Sequence, residues 1–171
     1  MTPNKAFQPT VLALRARPAA DRRALGGLLK LLAAEVSEVE RMQTQEFGCD
    51  ICWPADAGAA WGARGGLTRL EELIDESHFS VAILICPRCG QRHVSIFTEM
   101  IDWEDGNDPQ YWTLMPITEV EAEGLIRQGA SLNEVSLDAL GRGRRALRRD
   151  HPKAGPPRVF WGSGVLVGLH D

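Results

Sequence analysis

The chain has no apolar run near the roughly 20 residues that cross a bilayer. Its longest apolar piece, Val81–Ile85, is strand-sized, so no membrane partner is expected. A secretory signal is also missing. The opening MTPNKAFQPTVLALRARPAADRR is basic, but its apolar stretch 11–14 is too short for the core of such a signal. It is also poorer in serine than transit peptides usually are, and residues 1–18 are expected to be a flexible basic leader. Positive charge is absent from residues 93–126, which hold eight acids and no Lys or Arg and would repel a phosphate backbone. Without an export signal, the expected location is cytoplasmic, where thiols stay reduced. Four cysteines there point to metal rather than to disulfides.

What remains is an ordinary globular composition: 171 residues, 44% hydrophobic and 25% charged. That length suits one domain able to bury a substantial core, and residues 19–171 are expected to form it. The net charge of −4 conceals segregation. Residues 1–30 carry six basic residues against one Asp, residues 142–158 carry seven against one, and residues 31–141 carry six against twenty acids.

Leu28, Leu29, Leu32, Val36 and Val39 recur at helical spacing within Ala19–Glu46, predicting an amphipathic helix. The small-residue stretch Ala55–Gly66 reads as a surface loop. Leu67–Glu76 reads as a short helix with Thr68 and Glu71 as a capping box. FSVAILI, Phe79–Ile85, predicts a buried strand, and the alternation over His93–Trp103 a second. An acidic tip, Glu104–Gln110, joins that strand to a third over Tyr111–Ile117. Thr118–Gln128 predicts a helix with acids in its first turn, and Asn133 to about Leu147 another, weakened at Gly141 and Gly143. Arg158–Leu169 reads as a terminal strand or hairpin.

The chemistry lies in Cys49-x-x-Cys52 and Cys86-x-x-Cys89. Each turn sets two sulfurs on one side of a tight loop, and two facing turns supply the tetrahedral four-sulfur site that Zn²⁺ prefers. The segment CPRCG at Cys86 resembles the knuckle of zinc-ribbon and rubredoxin-like proteins, with Gly90 after the second thiolate. The whole chain is similar to a group of bacterial zinc-ribbon proteins; that resemblance implies fold and metal but no activity. Two departures stand out: Trp53 occupies the glycine position after the first pair, and 33 residues separate the pairs. Iron could take the same ligands. A strand followed by C-P-x-C also resembles thioredoxin-type redox sites, but these need a helix directly after the motif, and HVSIFTEMIDW reads as strand.

Four thiolates leave a metal no open position, so the ion is expected to be structural. His78 and His93 could replace a thiolate or stand behind one, although an ordinary hydrogen-bonded role is the simpler expectation; His151 and His170 carry no motif. Asp102, Glu104, Asp105 and Asp108, beside Trp103, Tyr111 and Trp112, could serve an unrecognised enzyme, or form a solvated hairpin tip. Gly162-Ser163-Gly164 completes neither a nucleophile elbow nor a phosphate loop. Arg142, Arg144, Arg145, Arg148 and Arg149 form the strongest basic patch, expected to lie outside the metal fold as a docking element.

These readings lead to an α+β domain, a small antiparallel sheet around a Cys₄ zinc site with flanking helices. Its expected role is a non-enzymatic, zinc-stabilised binding module for a protein partner. A nucleic-acid partner on the basic segment and an enzyme using hairpin 102–112 are the alternatives.

Overall fold

Alternation of large apolar with small or polar side chains builds the centre of the fold. In a computed structural model, which describes residues 47–171, six antiparallel strands lie side by side in chain order. They are β1 (Thr68–Asp75), β2 (Phe79–Ile85), β3 (Arg92–Glu99), β4 (Gln110–Ile117), β5 (Arg145–His151) and β6 (Arg158–Ser163). Three short helices accompany them: α1 (Ala57–Ala63), α2 (Glu119–Gln128) and α3 (Glu134–Asp138). The fold class is therefore α+β, with the cysteines clustered beside the sheet. The leader 1–18 and the helix expected at 19–46 lie outside the described residues, as does the start of the expected domain. No helix among the described residues is long and apolar enough to cross a membrane.

The two-residue period of the strands separates two cores. Phe79, Val81 and Ile83 of β2, Val94 and Ile96 of β3, and Met115 and Ile117 of β4 face one side, where Ala122 and Leu125 of α2 and Leu137 of α3 cover them. Leu84, Leu114 and Leu147 face the other side, under Cys52, Trp53, Cys86 and Ala60 of α1. The expected hairpin is formed by β3 and β4, in continuous register from Arg92 opposite Ile117 to Glu99 opposite Gln110. Helix α2 begins as expected, with Thr118 and Glu121 exchanging capping-box hydrogen bonds.

Three expectations need correction. Ala55–Gly66 is not an open loop: Asp56 caps α1 through the Ala59 amide, and Ala60, fully buried, lets the helix approach the sheet closely. Leu67–Glu76 is not a helix but edge strand β1. Its register shifts twice against β2, leaving Leu70 and Leu73 as bulge residues. The shifts absorb the helix-like spacing and bring Leu73 and Ile74 together against the core.

The helix expected over Asn133–Leu147 stops at Asp138, and the basic segment turns into β5. It is no detached docking element, because Ala146 and Leu147 are buried in the sheet. Arg144 holds Glu121 in a bidentate pair (2.8 and 3.1 Å), donates to the Pro116 carbonyl, and lies over the Phe47 ring. Burial pushes the Glu121 carboxyl up, but Arg144 and the Thr118 amide outweigh it and hold the group below the usual carboxylate range. Replacing Arg144 with Ala would leave a half-buried carboxylate unpaired and loosen the cap of α2. We expect a loss of about 2–3 kcal/mol, below the ~3–5 kcal/mol of fully buried pairs because this one keeps some solvent. Glu121 favours folding while ionised, so its contribution is present at neutral pH and lost as pH falls through its depressed folded-state value. Urea unfolding should show both the lowered midpoint and a flatter acid limb in the variant; an unchanged midpoint would refute the assignment.

Candidate metal centre

The second cysteine pair sits in the β2–β3 connection. The Cys86 amide donates to the Gln91 carbonyl and the Gly90 amide donates back to the Cys86 carbonyl at 2.9 Å, closing the knuckle. The first pair forms the matching turn before α1, closed by the Trp53 amide on the Cys49 carbonyl at 2.8 Å. Its tight glycine precedes the pair instead of following it. Gly48 has φ +79°, and a Cβ there would stand 2.7 Å from Trp53 Cβ and 3.1 Å from Cys52 Sγ.

All four expected ligands come together, with their sulfurs within 4.8 Å of one another. Cys52 Sγ lies 3.7 Å from both Cys49 Sγ and Cys89 Sγ. A tetrahedron with metal–sulfur bonds of about 2.3 Å has edges of about 3.8 Å, so these two distances match such edges, and both are far longer than a disulfide. Cys52 and Cys86 are buried, Cys49 half-buried and Cys89 exposed. The Cys52 and Ile51 amides lower the Cys49 thiol to about 7, whereas burial raises Cys52 and Cys89. Thiolates held this close need a cation to offset their mutual repulsion. The four cysteines are thus close enough to hold a metal ion, and the donor set fits a soft or borderline one.

Residues outside the motifs hold the two knuckles together, and the sequence reading missed them. Gln91 accepts from the Gly48 amide and donates to the carbonyls of Arg92 and Ile117, tying the first knuckle to β3 and β4. Trp53 packs edge-on against Trp161 at 4.9 Å and lies 5.3 Å from the His93 ring. Only Gly48, directly before the first cysteine, left a readable sign.

His93 joins neither the sulfur cluster nor a hydrogen bond among the described residues. Burial lowers it to about 4, so it is a neutral core ring. His78 approaches Glu99 at 3.3 Å. His170 stacks on Phe79 at 4.5 Å, and His151 pairs with Gln110 within the sheet. At the β3–β4 tip, Asp102 and Asp105 share Lys153 at 2.9 and 3.2 Å, Asp102 accepts from the amides of Glu104 and Asp105, and Asp108 accepts from the Asp102 amide. Lys153 holds the Asp102 carboxyl below its usual range. These carboxylates are engaged in closing the loop, while Trp103 is exposed. The motif Cys86–Cys89 leads into a strand, not the helix of a thioredoxin-type site. Ser163 ends β6, and its carbonyl accepts from Arg148.

Neither a family model, nor a curated protein, nor a solved structure matches the chain.

Proposed function

We propose that the chain is a non-enzymatic binding module stabilised by one structural Zn²⁺ on Cys49, Cys52, Cys86 and Cys89, related to zinc ribbons and resident in a reducing cytoplasm. The closed four-cysteine cluster carries this reading. Its ligands would fill every position of a tetrahedral ion, and it joins the segment before the sheet, through Cys52, Trp53 and Ala60, to Leu84, Leu114 and Leu147. A metal so placed fixes the relative position of the first knuckle, α1 and the strands beneath them, which is what a preorganised binding face requires.

The range of possible partners narrows on this face. Arg145 and Arg149, which sequence reading assigned to a separate basic segment, stand beside Trp53, Trp161, Trp61 and Trp112 on the metal-bearing side. That arrangement supports an anionic partner. The test is affinity purification of the full chain from the cells that make it, under reducing conditions, beside Cys86→Ser. A stoichiometric macromolecular partner retained by the intact protein and lost with the metal site is the expected result. A partner held equally by both proteins, or a small molecule turned over by the purified protein, would overturn the reading.

A further inference from the structure

Three guanidiniums on the metal-bearing face lie over indole rings. Arg145 is 4.2 Å from the ring centre of Trp161 and 5.6 Å from that of Trp53. Arg149 is 4.6 Å from Trp112 and 5.3 Å from Trp61, and Arg64 is 5.3 Å from Trp61. None of the three forms an ion pair among the described residues, whereas Arg69, Arg92, Arg127, Arg144 and Arg158 each do. A guanidinium held over an aromatic ring makes no hydrogen bond to it through its N–H edge and so keeps those donors for a bidentate acceptor.

An aromatic row continues from these cations. Trp61 meets Trp112 edge-on at 5.9 Å, and Phe97 lies 4.8 Å beyond it, all three half-buried. Arg145 is exposed, and it and Arg149 project from the same side of β5, four residues or roughly 13 Å apart. We infer that this Arg–Trp face binds single-stranded nucleic acid, with Arg145 and Arg149 on phosphates and the row from Trp61 to Phe97 supporting bases. The inference rests on the binding-module reading and names its ligand class.

Charge and shape favour this ligand over the alternatives. Phosphates complement the unpaired guanidiniums, and bases can use the rings, which the carboxylates of an acidic peptide would leave idle. Acids share this face: Glu72 lies exposed on β1 opposite Ala82, and Glu104 and Asp105 lie exposed on the β3–β4 tip, past the end of the strands that carry Phe97 and Trp112. They disfavour a broad duplex more than a single strand following the row.

The test uses the metal-loaded full chain and a fluorescent oligouridylate of about 12 nucleotides, titrated by anisotropy between about 50 and 200 mM salt. Saturable binding is expected, weakening with the logarithm of salt by about 0.7 per phosphate held. Arg145→Gln/Arg149→Gln should weaken binding about tenfold or more at the lowest salt and flatten the slope by about 1.4. Arg127→Gln/Arg142→Gln, which removes equal charge elsewhere, should bind like the parent. Metal content and thermal midpoint of each variant are measured alongside. Should the double variant fail to fold, Arg149→Lys serves instead: it keeps the charge, loses the planar fork, and should weaken binding severalfold. No saturable binding at the lowest salt, or equal losses in the control variant, would overturn the inference. Poly-glutamate of matched charge competing as well as the oligonucleotide would overturn the ligand class and leave the binding-module reading standing.

Discussion

Stripping the metal with a strong chelator should lower the thermal midpoint by more than 10 °C, and Cys52→Ser should do the same. Structural zinc contributes ~10–16 kcal/mol in peptides that have no other core. Here Val81, Ile83, Ile96, Met115 and Ile117 form a core on the opposite face, away from the cluster. The penalty should therefore be on the order of half that figure, with each kcal/mol moving the midpoint by ~2–4 °C at this size. What should be lost is the attachment of the first knuckle and α1, because Cys52, Trp53 and Ala60 are buried against Leu84, Leu114 and Leu147. Tryptophan fluorescence should consequently respond more strongly than far-ultraviolet circular dichroism. Protein purified without chelators should contain about one zinc per chain. Metal-free protein with the same unfolding midpoint would defeat the assignment, and a coloured, iron-loaded protein would change the metal.

The second large effect separates two glycines that look alike in sequence. Gly48→Ala should lower metal affinity by about 10- to 100-fold, the range seen when residues supporting a ligand shell are lost. The added methyl would meet Trp53 Cβ and Cys52 Sγ, and neither is the free end of a flexible side chain. Relief requires the turn itself to open, which moves a ligand. Gly90→Ala, at φ +75° but with open space around it, carries only the left-handed backbone penalty of about 1–2 kcal/mol. Competition for zinc against a chromophoric chelator should rank parent, Gly90→Ala and Gly48→Ala in that order. Equal affinities for the two variants would show that the crowding at Gly48 is relieved without cost.

The sequence made the centre of the sheet and the cysteine cluster legible for different reasons. FSVAILI and the segments that pair with it carry β-branched residues at period two, so β2, β3 and β4 follow from local pattern. The four cysteines follow from spacing alone. The strands on either side of this centre, β1 and β5, were hidden. LTRLEELIDE has apolar residues where a helix would want them, and only the bulges at Leu70 and Leu73 accommodate them in a strand. RRALRRDH looks like a charged helix end because the surfaces its arginines cover belong to distant parts of the chain: Trp53 and Trp61 before the sheet, Trp112 and Trp161 within it. A strand whose charged side chains lie on aromatic rings has no local signature.

The double bulge in β1 also bears on how molecules of this protein meet one another. Among the described residues, a sheet whose strands follow chain order has two edge strands, β1 and β6, and a straight edge invites another strand to extend the ladder. On β1 the irregular register breaks the even row of outward amides and carbonyls that such an extension needs, and exposed Glu71, Glu72 and Asp75 repel a like copy. The same distortion that fits an awkward apolar spacing into the fold thereby guards against fibril-like growth from that side.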